Sequence, residues 1–263
     1  MTRTKLLALQ LGVGFLFLLI WHVLTVYPIL GQPRQIQFFF STPLDVIARV
    51  IRLFASGEIW FHLWITLVET VLAFVTGAAG GILFGFLFAR RELLAAVFDP
   101  YIKAANALPR VVLAPIFALW FGLGIWSKVA LGFTLVFFIV FFNVYQGVRE
   151  VSPTVLANAR MLGMNERQLL RHVYWPAALT WVFSSLHTSV GFALVGAVVG
   201  EYLGSSAGLG YKIHEAESVF DVTGVFAGMV ILMGFVIAID GLVTVVEKRL
   251  LVWRPGQAVS AQV

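Results

Sequence analysis

Few residues in this chain have the types and spacing for chemistry. His214 and Glu215 begin H-E-x-x-H, which sets two histidines one helical turn apart for zinc. Ser218 stands where the second histidine would be, and that rejects a zinc protease site. Gly204, Gly208 and Gly210 superficially resemble a nucleotide-binding glycine loop, but they follow an apolar helix and not a strand, so they read as a packed turn. No G-x-x-x-x-G-K-[ST] occurs, so the chain does not hold ATP by a P-loop. Cysteine is absent, which removes disulfides, thiol catalysis and cysteine-ligated metals. Ser184, His187, Thr188 and Gly191 fall on one helical face. At mid-membrane depth such a stripe belongs against the bundle interior or a water-filled route, where His187 could donate to a polar or anionic solute. Close helix packing through Ser, Thr and Gly is the competing use. Glu69 could pair with a basic residue or line the route, and reads as a structural partner; Asn143 and Asp240 read as hydrogen-bonding groups between helices. No catalytic, cofactor-binding or metal-binding residues are expected.

The elements that carry these residues are membrane helices. The hydrophobic set makes up 60% of the 263 residues and only 12% are charged, where a soluble domain is about a quarter charged. The apolar runs are continuous rather than alternating, which favours helices over barrel strands. The length suits about six spans. The fold class is therefore an all-α polytopic membrane protein. The net charge of +5 reads as basic residues retained on the cytoplasmic side, with no nucleic acid as partner.

In order, a first span covers about 6–27. An outer segment, 28–58, follows, with a short amphipathic helix starting at Ser41-Thr42-Pro43. The second span, about 59–89, carries Gly77, Gly81 and Gly85 as a smooth ridge for close helix approach. A short polar segment runs to Pro100, and the third span, 101–124, is broken by Pro109 and Pro115. Gly122, Gly124 and Lys128 mark a tight outer turn. The fourth span covers about 129–145, the fifth 176–200 and the sixth 222–246. Between the last two lies a re-entrant or hairpin-like outer segment, 201–221, and the tail from Arg254 reads as disordered. This topology places 13 of the 18 Lys and Arg on the cytoplasmic side and 5 outside, as the positive-inside rule requires with both termini cytoplasmic.

Residues 152–179 are a polar island between two apolar spans. Ser152-Pro153 is a helix start. Gly163 ends that helix, because glycine enters the left-handed C′ conformation freely. Asn165 with Gln168 makes a capping box for a second helix, which Trp175-Pro176 breaks. The product is a helix–glycine corner–helix.

The island resembles the EAA loop of ABC importer permeases, roughly E-A-A-x-x-x-G and then I-x-L-P. Ala157, Asn158 and Ala159 fall on the leading positions, Gly163 on the glycine, and Val173, Trp175 and Pro176 on the end. Ala157 replaces the usual glutamate and Asn158 an alanine. Segments 108–128, 141–153, 200–211 and 247–255 are also similar to permeases of the nitrate/sulfonate/taurine type.

The resemblance implies an ABC transmembrane type-1 core at 59–247, after an N-terminal part at 1–58 and before a tail at 248–263. It implies an ATPase-coupling loop that includes Ala157, Asn158, Ala159, Gly163, Met164, Asn165 and Pro176. Implied partners are two ABC ATPase subunits that carry the ATP, a periplasmic or lipid-anchored substrate-binding protein, a second identical permease chain and membrane lipid. The implied location is the bacterial inner membrane, and the implied solute is small and anionic, such as a sulfonate, nitrate or taurine. A passive channel or scaffold subunit is the alternative reading.

Overall fold

The computed structural model describes residues 3–27 and 32–250, so the tail from Arg254 lies outside the described residues. The described residues are mostly helical, with no strand among them: α1 (Arg3–Val26), α2 (Pro33–Phe40), α3 (Pro43–Ala55), α4 (Glu58–Arg90), α5 (Glu92–Ala107), α6 (Ala114–Phe121), α7 (Ile125–Arg149), α8 (Pro153–Met161), α9 (Glu166–Leu169), α10 (Trp175–Leu203), α11 (Leu209–Ser218) and α12 (Val222–Leu250). Among them, α1, α4, α7, α10 and α12 are long and apolar enough to cross a membrane, and α5 with α6 makes a sixth candidate bent by 88°.

The centre of the bundle is α4, α7 and α10. Apolar burial contributes little to helix association in hydrocarbon, because lipid tails are as apolar as leucine; packing distance decides instead. The Gly77, Gly81 and Gly85 ridge of α4 lies directly on Val136, Val140 and Val144 of α7. A Cβ at those glycines would stand 2.7, 2.7 and 2.8 Å from the valine Cβ atoms. Ala73, Ala178, Val182 and Ala193 complete this core with the same valines. By contrast, α1 exposes apolar side chains along most of its length. It meets the remainder near its C-terminal end, where Trp21 packs on Phe226 with ring centroids 5.4 Å apart. There the Trp21 indole donates to the Phe40 carbonyl at 3.2 Å.

Thr42 caps α3 by accepting from the Asp45 N–H at 3.2 Å. An additional helix, α2, precedes it. Residues 92–107 form the helix α5, not a short polar segment, and Pro100 lies inside it. The break falls at Leu108-Pro109, where the residue before proline is extended, as proline requires of its predecessor. Pro115 breaks nothing; it lies in the first turn of α6, where its missing N–H has no intrahelical partner to lose. Trp175-Pro176 does not break the chain either. Residues Leu170–Tyr174 form a widened π turn, and the Trp175 N–H bonds to the Leu170 carbonyl five residues back. That wider turn relieves the clash between a proline ring and the carbonyl four residues before it, so helix runs from Glu166 to Leu203.

Candidate functional site

The island folds as a tight corner. α8 ends in a Schellman motif: the Gly163 N–H bonds to the Arg160 carbonyl at 2.9 Å and the Met164 N–H to the Ala159 carbonyl at 3.1 Å. The motif needs a left-handed residue, and Gly163 supplies it at φ +80. Two residues later Asn165 and Gln168 form the reciprocal capping box, with bonds of 2.9 and 2.8 Å. Ser152, at the start of α8, makes no side-chain cap; Pro153 removes one of the N–H groups that would otherwise need one.

The corner is fastened to the end of α4. Arg90 pairs with Glu166, and its guanidinium lies over the Tyr174 ring, 5.7 Å from the centroid. Arg160 reaches the same carboxylate at 3.7 Å. Phe86 stacks on Trp175 with centroids 5.2 Å apart, and Leu169 is fully buried. Between corner and bundle lies a cleft of about 940 Å³, lined by Phe86, Arg90, Arg91, Glu166, Arg171 and others. Ala159 packs inward, whereas Ala157, Asn158, Asn165 and Pro176 are exposed and Met164 is half-buried. Met161 and Leu162, just before the glycine, are 85% and 79% exposed. This is a doubly capped corner with an apolar tip.

The stripe on α10 divides. Ser184, Thr188 and Gly191 are exposed on the outside of the chain and His187 is half-buried, while Ser185 and Ser189 face the core. His187 Nε2 lies 3.7 Å from Asp240 Oδ1 of α12, beside a cavity of about 230 Å³ walled by Phe74, Phe183, Leu186 and Val190. Thr188 and Gly191 line a second cavity of about 400 Å³ with Phe192, Val195, Leu232 and Val236. Asp240 thus does reach across helices. Asn143 does not: its Nδ2 donates to the Ile139 carbonyl of its own helix at 2.8 Å.

At the opposite end of the bundle is a buried polar cluster that the linear sequence does not bring together. Lys128 is not part of a surface turn; it is 1% exposed, and its ammonium donates to the carbonyls of Leu123 (2.5 Å), Gly124 (3.2 Å) and Gly204 (2.7 Å). Glu69 and Glu201 are buried, close enough for their charges to act on it. Glu201 accepts from the Thr66 hydroxyl at 2.6 Å and the Gly210 N–H at 2.7 Å. On the adjoining surface, Lys212 bonds Glu58 at 2.7 Å and also pairs with Glu215. Its hydrogen bond holds the Glu215 carboxyl below the usual glutamate range.

Residues 81–252 match the family model described as binding-protein-dependent transport system inner membrane component. A putative aliphatic sulfonates transport permease protein of Bacillus subtilis is 34% identical over 215 residues, 81% of this chain and 77% of that one. The formylaminopyrimidine transport permease protein of Halalkalibacterium halodurans is 33% identical over 252 residues, 95% of this chain and 98% of that one. In three dimensions the fold is similar to a chain of the inward-facing MetNI methionine ABC transporter, with a TM-score of 0.62 at 16% identity, covering 74% of this chain and 96% of that one. The chain belongs to the binding-protein-dependent transport inner-membrane component family: it is a multi-pass permease subunit of an ABC importer, with ATP hydrolysis on separate ATPase subunits.

Proposed function

We propose that the glycine corner at 157–168 is the docking site for the ATPase and that its movement drives alternating access. The observation that carries this reading is the corner's construction. Two caps lock the helix ends, an ion pair fastens the corner to α4, and the apolar tip at Met161 and Leu162 is left outside. Such a unit transmits a push without deforming, and its tip is suited to a groove in a partner. The side of the membrane it faces is the cytoplasm, on the charge bias of the sequence.

Two identical copies of this chain would enclose the path, with two ATPases on the corners holding the ATP. A binding protein would deliver the solute to segments 28–58 and 201–221. Ser184, His187, Thr188 and Gly191 are proposed path residues. The solute is a small oxidised-sulfur compound of the aliphatic sulfonate or taurine kind. Lys128 has its three N–H bonds committed to carbonyls, so it is not offered to an anion. Recognition of the anion then rests with the binding protein, and the path passes it without tight binding.

The test is affinity capture of the tagged chain from detergent-solubilised membranes, with mass spectrometry and an ATPase assay. A P-loop ATPase should be recovered, and lost when residues 157–168 are altered. A chain that remains folded and captures no ATPase would overturn the reading in favour of a channel or scaffold.

A further inference from the structure

The turn that joins α10 to α11 is held in an unusual way. Gly208 is the N-cap of α11 and has no side chain to cap it. Its first N–H groups are instead satisfied by side chains of two spanning helices. The Gly208 N–H donates to His62 Nδ1 at 3.1 Å and the Leu209 N–H to Thr66 Oγ1 at 2.9 Å, both on α4. The Gly210 N–H donates to Glu201 Oε2 at 2.7 Å, on α10. A third spanning helix joins through Lys128 of α7, bonded to the Gly204 carbonyl at the start of the turn. The fit leaves no room for side chains at two positions. A Cβ at Gly208 would fall 2.1 Å from the Glu201 carboxyl carbon, and one at Gly210 would fall 2.3 Å from the Val198 carbonyl oxygen.

We infer that residues 204–210 are a latch across the ends of α4, α7 and α10 remote from the coupling corner, with Thr66 and Glu201 as its positioning residues. The physical reason is that the latch spans helices. Thr66 accepts from the latch and donates to Glu201 at once, so the bonds form only while α4 and α10 stand in this register. A relative shift of the two helices would break the Gly208–His62, Leu209–Thr66 and Thr66–Glu201 bonds together, leaving N–H groups uncapped away from water. The latch is therefore intact in this register and lost in a shifted one. The turn also walls a cavity of about 520 Å³ through Gly204, opposite Ala118, Leu119, Leu123 and Ser127, so release of the latch would widen that cavity. This rests on the alternating-access reading above.

The chain contains no cysteine, so a single reporter thiol is clean. Leu209→Cys places it at a position 1% exposed, and Ser206→Cys gives an exposed control. Labelling with a membrane-impermeant maleimide is followed in the complete transporter in lipid vesicles. Leu209→Cys should label at least about tenfold faster during ATP turnover than at rest, while the control does not change. Thr66→Val, which removes the hydroxyl at nearly constant shape, should give the fast rate at rest and lower the solute moved per ATP hydrolysed. Thr66→Ser should restore both. Glu201→Gln is the second variant, expected to label fast with ATPase activity retained. Reporter protection unchanged through turnover, or Thr66→Val indistinguishable from Thr66→Ser, would overturn the latch. Capture of the ATPase is scored separately, so failure of the transporter reading is distinguishable: the reporter comparison between Thr66→Val and Thr66→Ser at rest needs no ATPase.

Discussion

The sharpest prediction concerns Gly163. Its φ of +80 means that any L-residue there is strained, by about 1–2 kcal/mol for a residue without special left-handed tolerance. Against that strain stand two Schellman bonds and two capping-box bonds, each contributing a net 0.5–1.5 kcal/mol or so, together about 2–6 kcal/mol. The bonds win, so the corner survives substitution. Among the described residues, and apart from its two chain neighbours, no heavy atom lies within 4 Å of a Cβ built at 163, so on the docking reading proposed above a larger side chain would point toward the ATPase. Gly163→Asn should be nearly neutral, since asparagine tolerates the left-handed region. Gly163→Ala should weaken ATPase docking by less than about tenfold. Gly163→Trp carries the same strain plus a bulky ring in the interface, and should weaken it by about a hundredfold or more, about 2.8 kcal/mol. The assay is titration of the purified ATPase onto the detergent-solubilised chain, with thermal stability measured in parallel. Stability should differ little between the Ala and Trp variants. Equal docking by these two variants would refute the argument, because residue 163 would then not face the ATPase.

Gly81→Leu should prevent close packing of α4 on α7, since even a Cβ there stands 2.7 Å from the Val140 Cβ; the readout is loss of monodisperse chain in detergent, with Gly80→Ala, whose nearest contact is a movable Phe137 ring at 3.2 Å, as the milder comparison. Leu169→Ala empties a fully buried site under the corner and should lower stability by about 2–5 kcal/mol, measured by denaturation in mixed micelles. Arg90→Ala removes the Glu166 pair and the Tyr174 contact; it should leave ATPase capture intact but reduce solute moved per ATP, and unchanged coupling would show that the pair is ornamental. Glu215 is held below its ordinary value by Lys212, so its contact stabilises the fold fully above the unfolded glutamate range, about pH 4.3, and is lost as pH falls through the lower folded value. Lys212→Met should flatten that acid limb of a melting-temperature profile.

What the sequence makes legible is local. Gly163, Asn165 and Gln168 lie within six residues, and their types alone dictate left-handed C′ and capping box, so the corner could be read before any helix was placed. The Gly77–Gly81–Gly85 ridge was readable for the same reason: four-residue spacing on one helix puts small residues on one face whatever packs there. Prolines misled where their effect depends on what surrounds them. Pro176 reads as a breaker, yet the π turn before it absorbs the ring, and Pro115 reads as a breaker but lies in a first turn where nothing is lost. Lys128 misled more instructively. A lysine beside Gly122 and Gly124 looks like the charge of an exposed turn, but its ammonium lies buried under carbonyls from residues 123, 124 and 204. The last of those is 76 residues away, and nothing in the local pattern points to it. The same holds for Gly208, whose φ of +110 could be anticipated but whose N–H partner, His62, could not. The two ends of the bundle therefore differ in kind. The corner takes its shape from bonds within one short segment and is joined to α4 as a unit, whereas the opposite end takes its shape from bonds between segments and so can register how α4, α7 and α10 stand relative to one another.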